Sequence, residues 1–125
     1  MYFTDYNAKK IDGMRLKIKK WRNDGLINEK EYFYLIASLV EASDKIANTA
    51  SVYEAFLKDI KKTAQKEIEI KPLELNVQNN NCFYFATNED ADELIEHISG
   101  DILYLDPPYN WRIYDSNYHL LNLLS

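Results

Sequence analysis

Residues 82–109, CFYFATNEDADELIEHISGDILYLDPPY, decide how this chain is read. Ile102-Leu103-Tyr104-Leu105 is apolar on both faces, the pattern of a strand buried in a parallel sheet. Before it, Asp90 to Ile98 has helical character and stops at Gly100, where a left-handed cap is expected. Before that, Cys82-Phe83-Tyr84-Phe85 is a compact aromatic strand candidate. Strand, helix, glycine stop and strand make one βαβ unit, which places chemistry at the carboxyl end of the second strand. Directly at that end stands Asp106-Pro107-Pro108-Tyr109.

Two consecutive prolines fix φ and supply no N–H, so this backbone cannot pair into a sheet. They leave carbonyl oxygens in a rigid orientation between a carboxylate and an aromatic ring. Such a group suits a planar substrate bearing an amine. The Asp106 carboxylate and the Pro107 carbonyl each accept one N–H, while the Tyr109 ring stacks on the heterocycle. Accepting both protons makes the nitrogen more nucleophilic, and the carboxylate steadies the positive charge that develops, which is electrostatic preorganisation. The plain alternative is a Pro-Pro turn after a core strand, capped by an ordinary Asp.

Outward from this segment, the preceding half reads as helices. Ile11, Met14, Ile18 and Trp21 form an apolar stripe ending near Asp24-Gly25, crowded by lysines and arginines. A second helix starts at Asn28 with Glu31 three residues on, a capping-box spacing, and presents Tyr32, Leu35, Ile36, Leu39, Val40 and Ile46. A third is predicted from Ser51, with Tyr53, Phe56, Leu57 and Ile60 on its apolar face and lysines towards its end. The character changes at Lys71-Pro72. Leu73, Leu75 and Val77 alternate as a short strand, and Gln78 to Asn81 is a loop by composition. A last amphipathic segment runs from Asp115 to the end. The expected fold is therefore α+β: residues 1–71 helical, and residues 72–125 a partial Rossmann-like parallel sheet.

Composition bounds the function. The chain has 125 residues, 46% hydrophobic and 28% charged, an ordinary globular balance that fits one domain. No apolar run approaches the roughly 18 residues that span a bilayer, and MYFTDYNAKK is no secretory signal, so the expected location is cytoplasmic with no membrane partner. The lone Cys82, without a CxxC pair, and His97 and His119, on different predicted helices, make no recognisable metal set. The three glycines, Gly13, Gly25 and Gly100, cannot spell GxGxxG or GxxxxGK[ST]. The net charge of −5 is unevenly spread: residues 1–71 carry 14 of the 15 Lys/Arg against 11 acids, residues 72–125 only Arg112 against nine. A basic half joined to an acidic half can hold a polyanion with one surface. Solvated helices rich in lysine give the same count.

GDILYLDPPYNWRIYDSNYHLLN, residues 100–122, resembles the catalytic segment of bacterial adenine-specific DNA methyltransferases of the Dam-like class. Asn88-Glu89-Asp90-Ala91 is similar to the acidic motif that closes on the adenine ring of S-adenosylmethionine in that family. YFTDYNAKKID (2–12) and ANTASVYEAFLK (47–58) resemble segments that precede its catalytic motif, with Glu54 where the family usually shows a small residue. The resemblance implies restriction–modification chemistry: an adenine flipped from double-stranded DNA, its N6 held by Asp106 and the Pro107 carbonyl, Tyr109 stacked on the base, and in-line attack on the methyl of S-adenosylmethionine. Pro108 completes the motif, Asp90 and Asn88 would contact the cofactor, and no metal is required. The lysines before Lys71 would make salt-sensitive phosphate contacts. Related enzymes acting on RNA or protein more typically carry Asn at the first motif position.

The family's glycine-containing FxGxG-type cofactor segment has no counterpart here, and the chain ends about 16 residues after Tyr109. The chain thus looks like a fragment, incomplete alone, with apolar surface predicting a homo-oligomer or a complementing chain. Two other readings stay open: a non-enzymatic truncated module that binds DNA or a subunit, and an amino-methyltransferase acting on RNA or protein.

Overall fold

The computed structural model describes residues 1–50, 53, 55–75, 85–106 and 114–124, with side chains only from 118 onward in the last stretch. The regular elements among them are four helices: α1 (Asp5–Asn23), α2 (Glu29–Ile46), α3 (Ala91–Leu94) and α4 (Tyr114–Leu124). The chain divides into two compact units, Met1–Glu74 with Asn110–Ser125, and Leu75–Tyr109.

In the first unit, local signals place both long helices. The Thr4 side chain accepts from the Asn7 N–H and opens α1. Gly25, with φ at 69°, turns the chain out of it, a conformation that costs an L side chain about 1 kcal/mol or more. The Asn28–Glu31 capping box then starts α2, with both reciprocal bonds formed at 3.0 and 2.8 Å. The two helices bury Ile11 and Ile18 against Ile36, Leu39 and Ile46, and Ile68 and Leu124 complete the core. Leu124 and the partly buried Leu121 are the contribution of α4, so the last amphipathic segment forms as expected.

The predicted third helix does not form. Residues 55–70 run through turns, with one β pairing between Thr49 and Phe56. Two buried asparagines explain the difference. Asn48 donates its Nδ2 to the Leu57 and Met1 carbonyls (3.0 and 3.2 Å) and accepts from the Lys61 N–H at 3.1 Å. Asn7, on α1, donates to the Lys66 carbonyl at 2.7 Å and accepts from the Ile68 N–H at 3.0 Å. Backbone groups that a helix would pair with each other are instead paired across the fold, and both asparagines are almost fully buried. Tyr53 is also buried and donates to Asp44 at 2.7 Å.

The second unit departs further from expectation. Of the predicted helix over 90–98, four residues are helical, followed by turns closed by Glu96 N–H to Glu93 and His97 N–H to Leu94. None of α3 is buried, so no packing extends it beyond its capped first turn. Gly100 does not adopt positive φ, because the helix has ended well before it. No β-strand forms among the described residues, so the expected sheet is not observed there. Ile102 and Tyr104, expected in a buried strand, are 90% and 83% exposed. An extended segment becomes a strand only when neighbours pair its N–H and C=O groups, and the described residues supply none. Val77 and residues 82–84 of the other strand candidates lie outside the described residues.

Candidate active site

The sequence puts the chemistry after Leu105, and the structure describes the approach to it. Residues 102–106 are exposed, with Asp106 the last of them. Pro107, Pro108 and Tyr109 lie outside the described residues, as does Trp111.

Asp90 is the N-cap of α3. Its Oδ1 accepts from the Asp92 N–H at 2.9 Å while its carbonyl accepts from the Leu94 N–H. This cap is the local reason the chain turns here: a short polar side chain satisfies an amide that the first helical turn leaves unpaired. Asp90 is exposed, with Oδ1 in the cap, and Asn88, two residues earlier, is exposed with no hydrogen-bond partner among the described residues. The pair therefore offers a carboxylate oxygen and an amide, a donor and acceptor set suited to hydroxyl or amino groups of a small molecule. Asp92, Glu93 and Glu96 make the surrounding segment strongly acidic.

Among the described residues no group of three or more His, Cys, Asp or Glu side chains converges as a metal site. His97 closes a turn after α3, and His119 on α4 packs edge-on to Tyr2, the ring centres 5.7 Å apart. No described helix is long and apolar enough to cross a membrane.

The first unit carries the positive charge. Lys10 of α1 pairs with Glu67, which also accepts from the Tyr6 hydroxyl at 3.2 Å. The hydrogen bond from Lys10 holds the Glu67 carboxyl below its ordinary value and raises Lys10 in turn. Burial, then the bond to Asp44, pushes the Tyr53 phenol well above its usual range. An open cavity of about 400 Å³ brings Lys45, Lys66 and Lys71 beside Glu67 and Glu69, so its charges largely offset one another.

Residues 2–125 match the family described as D12 class N6 adenine-specific DNA methyltransferase. The chain belongs to that family. It is 50% identical over 124 residues to the type II methyltransferase M.NlaIII of Neisseria lactamica, covering 99% of this chain and 36% of that protein. It is 47% identical over 125 residues to the type II methyltransferase M.FokI of Planomicrobium okeanokoites, covering 100% of this chain and 19% of that protein. The modification methylase StsI of Streptococcus sanguinis is 45% identical over 122 residues, covering 96% and 18%. The chain thus spans between about a fifth and about a third of the length of these relatives. No solved structure matches it.

The family match runs through the helical half as well as through residues 106–109. Asn7 and Asn48, which shape the first unit, lie in the segments 2–12 and 47–58 that resemble the family, but nothing local to them points to partners between 9 and 61 residues away.

Proposed function

We propose that this chain is the portion of an S-adenosylmethionine-dependent enzyme that methylates adenine N6 in duplex DNA, as part of a restriction–modification system. The single observation that supports it is the D12-class match over residues 2–125 with the Asp-Pro-Pro-Tyr motif intact at 106–109. On this reading Asp106 and the Pro107 carbonyl accept the two N–H groups of the flipped adenine, Pro108 keeps the backbone from folding back, and Tyr109 stacks on the base. The exposed Asp90 carboxylate and Asn88 amide suit the polar edge of S-adenosylmethionine and would hold it. When bound, the cofactor supplies a methyl group made electrophilic by its sulfonium.

Residues 72–125 form the catalytic portion on this reading, with Ile102–Leu105 a strand of a Rossmann-like sheet once flanking strands pair with it. Exposure of Ile102, Leu103, Tyr104 and Leu105 supports this, since four consecutive residues of that kind bury only when neighbours cover both faces. A complementing chain or a second copy would supply those neighbours. Residues 1–71 then face the DNA, and the enzyme works in the cytoplasm.

Calorimetric titration of S-adenosylmethionine into the chain tests the assignment. Saturable heat that disappears in Asp90→Ala is expected. Absence of heat, or heat unchanged in Asp90→Ala, would remove Asp90 from the cofactor site. Mass spectrometry for N6-methyladenine in duplex DNA, lost on Asp106→Ala, tests the reaction itself.

A further inference from the structure

The outer face of α1 is more than a solvated surface. At 100° per residue, Tyr6, Lys9, Gly13, Leu16, Lys17 and Lys20 fall on one side of the helix, opposite the buried Asn7, Ile11 and Ile18. Lys9 and Lys17 make no ion pair with any described residue, and Lys17 lies over the Trp21 ring at 5.4 Å. Only Asp5 and Asp12 of α1 are acidic, against seven Lys and Arg. Between the lysines lies Gly13, whose position makes no demand within the chain. A Cβ there would meet nothing within 4 Å, and its φ is not positive. Glycine weakens an exposed helix interior, and nothing in the fold compensates for it here. What it leaves is a notch in the helix surface between Lys9 and Lys17, each about one turn away, with the exposed Leu16 on the same side, while Lys20 further along pairs with Asp24. Lys9 and Lys17 are eight residues apart, about 12 Å along the axis, a span of three to four phosphates of one DNA strand.

We propose that this face of α1 docks the sugar–phosphate backbone of duplex DNA, the notch at Gly13 letting the strand approach the helix while Lys9 and Lys17 neutralise phosphates on either side. The assignment rests on the reading of the chain as a DNA-modifying enzyme. Charge complementarity favours DNA over a partner helix, since two uncompensated ammonium groups flank the notch and an apolar partner would desolvate both.

The experiment is fluorescence anisotropy of a short labelled duplex with the full chain, across a salt series and without cofactor. Gly13→Leu is expected to weaken binding about tenfold while its melting temperature equals or exceeds that of the unsubstituted chain, because Leu is the better helix former. Lys9→Gln with Lys17→Gln is expected to lower the slope of log K against log salt by about 1.8, because two phosphates are no longer neutralised. Unchanged binding in Gly13→Leu, or an unchanged slope in the double variant, would overturn this face and leave DNA binding standing. Variants that change only sedimentation would overturn it in favour of a second copy. No duplex binding by the unsubstituted chain would overturn it too, while adenine methylation is judged separately by cofactor heat and methyl transfer.

Discussion

Asn48→Ala is the substitution that discriminates most sharply between the observed path of residues 55–66 and a helix there. The Asn48 side chain is about 1% exposed and makes three hydrogen bonds to backbone groups, at Met1, Leu57 and Lys61. Alanine removes all three and leaves one N–H and two carbonyls without their partners. Each such bond contributes roughly 0.5–1.5 kcal/mol net, and a group left buried and unpaired costs about 1–3 kcal/mol. Leu57 is exposed and Lys61 partly so, which lets water reach their backbone groups and sets the lower figure there. The expected loss is therefore about 2–4 kcal/mol, or roughly 10 °C in melting temperature for a chain of this size. Urea unfolding followed by circular dichroism measures it, with Asn48→Asp as companion. Aspartate can still accept from Lys61 but donates nothing and buries a charge, so it should be at least as damaging. Hydrogen exchange should show the amide of Lys61, which donates to the Asn48 side chain, losing protection first. A loss below about 0.5 kcal/mol, the usual scale for a neutral surface change, would refute the asparagine-centred account of this segment.

Four further outcomes follow from the first unit. Leu39→Ala opens the core at a fully buried position and should cost about 2–5 kcal/mol by denaturant unfolding. Asn28→Ala removes half of the capping box and should cost about 1 kcal/mol, with the helical signal of α2 reduced in the same melts. Tyr53 has a folded-state pKa above its ordinary value of 10.0, so its contribution is full below pH 10 and is lost as pH rises beyond it. Alkaline unfolding should lose that component in Tyr53→Phe. At the acid end the sign reverses: Glu67, held below its ordinary value of 4.5, contributes above that pH and ceases to contribute as pH falls through its lowered folded value. In Glu67→Gln this acid-side component should vanish from a pH series of melts. Because Lys10 and Glu67 are solvent-facing, salt should weaken their pairing.

Much of the candidate site is legible in the sequence because its signals are contiguous. Asp106 to Tyr109 is four adjacent residues whose chemistry follows from their types, and the family match confirms the kinship they implied. The scarcity of glycine, and Asn88 and Asp90, are equally local signals. The Asp90 cap is observed directly, whereas its role towards a cofactor awaits the titration. The helices α1 and α2 are legible for the same reason. Apolar residues repeat with the helical period, and Asn28, Glu31 and Gly25 mark ends through bonds that reach no further than a turn.

Where the chain's own helical preference meets distant hydrogen-bond partners, local reading fails. Tyr53, Phe56, Leu57 and Ile60 have helical spacing, yet Asn48 and Asn7 hold the backbone between 57 and 68 in turns through partners up to 61 residues away. Likewise Ile102 to Leu105 has the composition of a buried strand, but burial and pairing belong to neighbours that the described residues do not contain. Helix caps, the Asp106–Tyr109 motif and the division of charge are properties of short stretches of residues. The course of 55–70 and the fate of 102–105 depend on which distant groups satisfy the backbone, and only the folded arrangement settles that.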